Sequence, residues 1–237
     1  MRNNRVLTVV AAAGIGLVVM TAGNAARANY EDEQDLGAKW WQWALSIPAN
    51  VNPLIGADSD GYSDAGKCVV GQSGSVWFLA GAFFGGTAKR TCAIPDDKSL
   101  FFPVYNNVEI NTPNICGQGG SLTVAQLREF AAANVDGVTA FSAELDHHPI
   151  HAIQRLQSPV FEVALPKDNI FNAPSLCAGT VPPGIYSPAV DDGYYVLLDP
   201  LRKGAHTLRI QAAGPNDFAF DVTYSLNVIH VSDQPTR

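Results

Sequence analysis

From Phe218 to Val228 the chain places a large apolar residue at every second position. Phe218, Phe220, Val222, Tyr224, Leu226 and Val228 fall on one side, and Ala219, Asp221, Thr223, Ser225 and Asn227 on the other. A period of two is the strand period, so this stretch has one face for a core and one for water. Other short apolar or alternating runs precede it from Lys67 onward: "CVVGQ", "SVWFLAG", "KRTCAI", "SLFFPVYN", "VTAFSAEL", "SPVFEVAL", "GYYVLL" and "AHTLRIQA". Gly, Pro, Asn and Asp punctuate them. Many short strands with turn signals between them predict a mainly β fold, an antiparallel β-sandwich of jelly-roll or Ig-like type. "AAGPND" reads as the hairpin turn between the last two strands.

Two segments follow the helical period instead. In "EDEQDLGAKWWQWALS" an acidic start leads into Leu36, Trp40, Trp43 and Ile47, spaced as one helical stripe, and Pro48 ends it. Trp41 lies off that stripe. It is the indole expected to keep a face outside, and the candidate ligand-binding residue for stacking a sugar ring. In "SLTVAQLREFAAANVDG", Thr123 and Gln126 fit a capping box, Val124, Leu127 and Phe130 or Ala131 form the buried stripe, and Gly137 closes the helix. The expected organisation is a β-sandwich domain over 57–237 carrying one inserted helix, preceded by an N-terminal helical segment over 29–56.

Residues 1–28 have the form of a cleaved signal peptide. Arg2 and Arg5 precede an apolar run from Val6 to Val19, and "AARA" supplies an Ala-x-Ala cleavage signal before Asn29. The expected location is secreted or periplasmic, in a bacterium. The formal net charge is −7, more acidic still once Arg2, Arg5 and Arg27 leave. Such a surface repels phosphate backbones and anionic lipid, which argues against nucleic-acid and membrane partners after cleavage. The four cysteines, Cys68, Cys92, Cys116 and Cys177, are an even number for an oxidising compartment, and no pair has Cys-x-x-Cys spacing. Of three possible connectivities the favoured one joins Cys68 to Cys92, across what reads as one hairpin, and Cys116 to Cys177.

The phrases "KWWQWALSIP", "CVVGQSGSVWFLAG", "LFFPVYN", "SPVFEVALPKDNIF" and "DGYYVLLDPLRKGAHTL" together resemble a group of uncharacterised secreted bacterial proteins that share this run of phrases. The resemblance covers most of the chain after residue 28. It implies bacterial export and attaches no activity.

Three stretches and one scattered set of acids suggest chemistry. "GQSGS" at Gly71 to Ser75 resembles the loop around a serine-protease nucleophile, but every histidine follows it in the chain and an apolar strand comes next, so a Gly/Ser turn is the better reading. "DSDGYSD" offers Asp58, Asp60 and Asp64 as hard oxygen ligands for calcium; its EF-hand register fails, and a solvated loop is favoured. Acid catalysis by a carboxylate pair has Glu109, Glu144 and Asp146 as its first candidates, with Glu162 and Asp221 also on or near strands. "DHHPIH" gathers His147, His148 and His151 as candidate zinc ligands. On a strand His147 and His151 lie about 13 Å apart, too far for one ion, whereas a helix would need Pro149 in its first turn. A strand corner fits best.

No cofactor is expected, with calcium or zinc as the open options. The favoured function is a secreted, non-catalytic binding module for a glycan or another exported protein. An extracellular carbohydrate-active hydrolase or lyase and a periplasmic metal-binding protein are the alternatives.

Overall fold

The long strands differ in hydrophobic pattern, and that difference fixes the layers. The computed structural model describes residues 22–55, 62–63, 65–173, 177 and 179–230. In chain order α1 (Ala22–Ser46) precedes β1 (Tyr62–Ser63), β2 (Val76–Phe78), β3 (Gly86–Pro95) and β4 (Ser99–Ile110). Then α2 (Val124–Asp136) is followed by β5 (Ala140–Leu145), β6 (His148–Pro149), β7 (Gln154–Gln157), β8 (Phe161–Leu165), β9 (Gly184–Leu198), β10 (Gly204–Ala213) and β11 (Ala219–Ile229).

An outer, six-stranded sheet runs β1-β3-β11-β10-β5-β6, and a central, five-stranded sheet runs β2-β4-β9-β7, with β8 also paired to β9. The strands of the outer sheet alternate: β11 buries Phe220, Val222, Tyr224, Leu226 and Val228, and β3 buries Ala88, Arg90, Cys92 and Ile94. Its other face meets water. In β4, by contrast, every residue from Leu100 to Tyr105 is buried. A strand buried on both sides reads as a continuous apolar run, and β4 is covered twice. Leu100, Phe102 and Val104 share one core with Ile94, Leu208, Ile210, Val222 and Tyr224 of the outer sheet. Phe101 faces the other way and packs with Trp40, Trp41, Trp43 and Leu45 of α1.

The expected antiparallel arrangement is corrected here. The pairs β1–β3, β3–β11 and β2–β4 are parallel, so both sheets are mixed rather than purely antiparallel. Alternation tells a strand which face is inside; it carries nothing about the direction of its neighbour. "CVVGQ" is a further departure: Cys68 and Val69 end a 3-10 turn at Ala65–Val69 and the next residues form a turn rather than a strand.

Both expected disulfides are present, Cys68–Cys92 and Cys116–Cys177. The hairpin reasoning behind the first does not hold, because β2 belongs to the central sheet and β3 to the outer one. The bond instead ties the segment before β2 to the sheet on the far side of the core.

Helix α1 includes the expected Leu36, Trp40, Trp43 and Ile47 stripe and begins upstream of the expected mature start at Asn29. Its three tryptophans are buried, and each indole N–H has an acceptor: Leu79 O for Trp40, Asp191 Oδ1 for Trp41 and Val70 O for Trp43. A buried indole needs that partner. Helix α2 has the capping box at Thr123 and Gln126. It buries Leu127, Ala131 and Val135, while Phe130 turns outward at 45% exposure. Leu127 and Ala131 close over Val190, so α2 covers the end of the β4–β9 pair. No helix among the described residues is long and apolar enough to cross a membrane.

Candidate functional site

Strand β2 pairs with β4 only from Ser99 to Phe101. Beyond Phe101 no described strand covers that edge of β4. There Pro103, Tyr105, Asn106, Asn107 and Val108 line a cleft of about 580 Å³. Successive strand residues point to opposite faces, so such neighbours share one cavity only when it lies against the strand's edge.

Each wall of the cleft has a local cause. On one side Trp41 reaches the cavity from α1, followed by Phe83 and Phe84 from the connection between β2 and β3. That connection is pinned at Ala80, whose carbonyl accepts from Arg90 Nη1 and from the Tyr224 hydroxyl. On the other side lies the tight turn between β10 and β11. Asn216 and Asp217 have φ of 57° and 58°, the left-handed pair of a type I′ hairpin, which Asn and Asp tolerate best among residues with a Cβ. Gly214 N–H donates to Phe218 O at 2.8 Å and closes the turn. Gly214 is required: a Cβ there would meet Tyr105 Cε2 at 2.8 Å.

Chemically the cleft is amide and aromatic. Four carboxamides line it, Asn106, Asn107, Asn134 and Asn216, with Asp217 as the carboxylate among the described lining residues. Phe84 is 51% exposed and offers a free ring face. The Asn107 Oδ1 is buried and has no hydrogen-bond partner among the described residues. An unmatched buried acceptor costs about 1 to 3 kcal/mol, so the Asn107 carboxamide is held in place at a cost.

Behind this wall runs a sealed polar network. Alternation along β9 turns Asp191, Gly193 and Tyr195 toward α1, and Asp192 away from it. Asp191 is 1% exposed; its Oδ1 accepts from Trp41 Nε1 at 2.7 Å, and the Tyr195 hydroxyl lies 2.8 Å from both carboxyl oxygens. Asn106 Nδ2 donates in turn to the Tyr195 hydroxyl at 2.9 Å. Gly193 is the cross-strand neighbour of Asn106, and a Cβ there would lie 2.6 Å from Asn106 Cβ. Burial pushes the Asp191 carboxyl up to about 8, against the pull of the Tyr195 and Trp41 hydrogen bonds. Burial, then the neighbouring Asp191 charge, also raises Tyr195. On the opposite face Asp192, equally buried, is neutralised by Arg155, whose Nε and Nη2 each donate at 2.9 Å.

The residues singled out from sequence fall elsewhere. Trp41, expected to show a face to solvent, is 3% exposed; it reaches the cleft wall but is held by Asp191, and all four tryptophans are buried. "DHHPIH" is the strand corner: Asp146 and His147 have φ of 51° and 65° and turn β5 into β6. His147, His148 and His151 are exposed, and among the described residues no three His, Cys, Asp or Glu side chains come together to hold a metal. Asp146 fastens that corner, its carboxylate accepting from Thr207 N–H at 2.8 Å and facing His206 Nδ1 at 2.7 Å. Glu144 stands on the water-facing side of the outer sheet beside Arg209, which is paired to Asp221. Glu109 is half-buried on the side of β4 away from α1, and desolvation raises its carboxyl. Neither acid lines the β4-edge cleft. Asp58, Asp60 and Asp64 lie outside the described residues. The "GQSGS" stretch is a turn, with Gly71 and Gly74 at positive φ and the Gln72 side chain bonded to both N–H and C=O of Phe78.

Apart from Trp41, the residues that form the cleft were not singled out from sequence, because nothing local sets Asn106, Asn107, Asn134 and Asn216 apart from other asparagines. A signal existed for Asp191 and Asp192. Two adjacent acids inside an apolar strand point to opposite faces, so at least one must be buried. Comparison with known protein families, curated proteins and solved structures returns no match.

Proposed function

We propose that the protein is an exported, non-catalytic binding module whose ligand, held at the free edge of β4, is a neutral glycan. The observation that carries this reading is the convergence of four carboxamides and an exposed ring on one cleft, with an unpaired buried acceptor on one of the lining residues, Asn107. A carboxamide donates and accepts at once, which suits vicinal hydroxyls, and an aromatic face suits the C–H face of a sugar ring. Two features disfavour an exported protein adding a strand here. Pro103 has no N–H to offer, and the β4 register shifts between Pro103 and Tyr105; both are devices that protect an open edge. Acid catalysis has weaker support, since glycoside cleavage needs two carboxyl groups across the bond and the described lining supplies Asp217 alone.

Two disulfides, no described helix able to cross a membrane, and the resemblance to secreted bacterial proteins support a secreted or periplasmic place. Two sheets facing across one core support a sandwich-like scaffold.

Calorimetric titration with chitotetraose and cellotetraose tests the reading. At least one should bind, and Asn107→Ala should weaken it by about tenfold, the loss of one hydrogen bond to a buried acceptor. Glu144→Gln, on the far side of the outer sheet, should bind like the wild type. Absence of binding by either sugar at millimolar concentration would overturn the ligand class, and release of new reducing ends would favour the hydrolase.

A further inference from the structure

Asn106 has two hydrogen-bonding ends, and the Asp191 network decides which one the cleft receives. In the arrangement described, Asn106 Nδ2 donates to the Tyr195 hydroxyl, whose hydrogen is given to the Asp191 carboxylate. That order suits ionised Asp191, which accepts on both oxygens, and leaves Asn106 Oδ1, an acceptor, as the free end of a residue that lines the cleft. A proton taken from solvent onto Asp191 Oδ2 reverses the chain. Oδ1 still accepts from Trp41, Oδ2–H donates to the Tyr195 oxygen, and the Tyr195 hydrogen must find an acceptor. Among the described residues the reachable one is Asn106, after its carboxamide turns over. The NH₂ group, a pair of donors, then faces the cleft.

We propose that Asp191 is the positioning residue of the cleft, its proton setting through Tyr195 whether Asn106 presents an acceptor or a donor to a bound ligand. This rests on the cleft being the binding site, but the relay itself needs no ligand. The groups that act on Asp191 are Tyr195 and Asp192 within β9, Trp41 from α1 and Arg128 from α2, with Asn106 of β4 one hydrogen bond further, on Tyr195. Asp192 is already paired with Arg155. Glu33 of α1 shares a small cavity wall with Tyr195. Gly37 leaves Asp191 Oδ2 its space, since a Cβ there would approach it to 2.8 Å. The raised Asp191 carboxyl, at about 8, puts the reversal within reach of ordinary pH.

The decisive measurement uses ligand-free protein and the side-chain ¹⁵N–¹H resonances of Asn106 and Trp41, followed from about pH 6 to pH 10. Both should titrate together with one midpoint near 8. In Asp191→Asn, whose amide can donate to Tyr195 at any pH, both should stay at their acid-limb positions. In Tyr195→Phe, which keeps the ring stacked on Phe101 but cuts the relay, Trp41 should still titrate and Asn106 should not. An Asn106 carboxamide that stays fixed in the wild type, or that still titrates in Tyr195→Phe, would refute the relay. As a second readout, the chitotetraose dissociation constant should change several-fold between the two limbs in the wild type and not in Asp191→Asn. Failure of chitotetraose to bind counts against the ligand class, while the resonances still decide the relay.

Discussion

His206 shows how one side chain can be fixed by its acceptors. Its Nδ1 lies 2.7 Å from Asp146 Oδ2 and its Nε2 2.8 Å from Arg202 O. Neither partner can donate, so both ring nitrogens must carry hydrogen and the imidazolium is the form that fits. The Asp146 hydrogen bond raises His206 above its ordinary value of 6.5, and the same contact lowers Asp146 below 3.8. A raised base contributes stability that is full below its unfolded value and is lost as pH climbs through the folded one. A depressed acid contributes above its unfolded value and loses it as pH falls through the folded one. The corner between β5 and β6 is therefore best fastened between those two limits. With Asp146 partly open to solvent the pair should be worth at most about 1 kcal/mol. His206→Ala should lower the melting temperature by about 2 to 4 °C near pH 6, and the gap should close as pH rises above the folded His206 value. A gap constant across that range would show that the ring contributes packing rather than charge. The positive φ of Asp146 and His147 explains why this corner holds its histidines apart from any shared centre, and the proline in "DHHPIH" already pointed that way.

At the scale of elements, α2 and the β7–β9 pair are joined through one guanidinium. Arg155 of β7 holds Asp192 of β9 with two hydrogen bonds and reaches Asp136 at the end of α2 at 2.6 Å. Asp192 is 1% exposed, so removing its cation strands a buried charge. Arg155→Met should cost about 3 to 5 kcal/mol in urea unfolding, and adding Asp192→Asn should restore much of it, because a broken buried pair is worse than none. If the single variant costs less than about 1 kcal/mol, Asp192 is held by Gln157 and solvent instead. Helix α2 itself was legible: Thr123 and Gln126 cap it where the sequence places them. Its buried face was legible only in part, since Phe130 and Ala131 are neighbours on the stripe and packing over Val190 leaves room for the smaller one. The double coverage of β4 was likewise present in its unbroken apolar run, though what covers it was not.

For the whole molecule, faces were readable and partners were not. Alternation in β11 and the stripe in α1 follow from local chemistry, whereas the parallel β3–β11 and β2–β4 pairs depend on how distant segments meet. The cleft is assembled from α1, the β2–β3 connection, β4, α2 and the β10–β11 turn, so no single stretch could announce it. Cysteine pairing was readable in outcome, since four cysteines leave three connectivities, though not in its reason, because Cys68–Cys92 spans two sheets rather than one hairpin. The two staples nonetheless sit in different environments, and that difference decides which one opens first. Cys92 is 0% exposed and Cys68 9%, inside the shared core, whereas Cys116 lies on the surface with a buried partner, Cys177. Exchange needs a thiolate to reach a sulfur. Mild thiol treatment of the folded protein should therefore open Cys116–Cys177 first, with alkylation labelling those two residues alone. That bond closes a loop of 61 residues, for which chain entropy gives about 4 kcal/mol, so the alkylated protein should lose roughly that much in denaturant unfolding. Cys68–Cys92 should open only with the core. Simultaneous release of all four thiols would mean that the surface staple is reached through global unfolding, which would make the two sheets and the segment held by Cys177 a single cooperative unit.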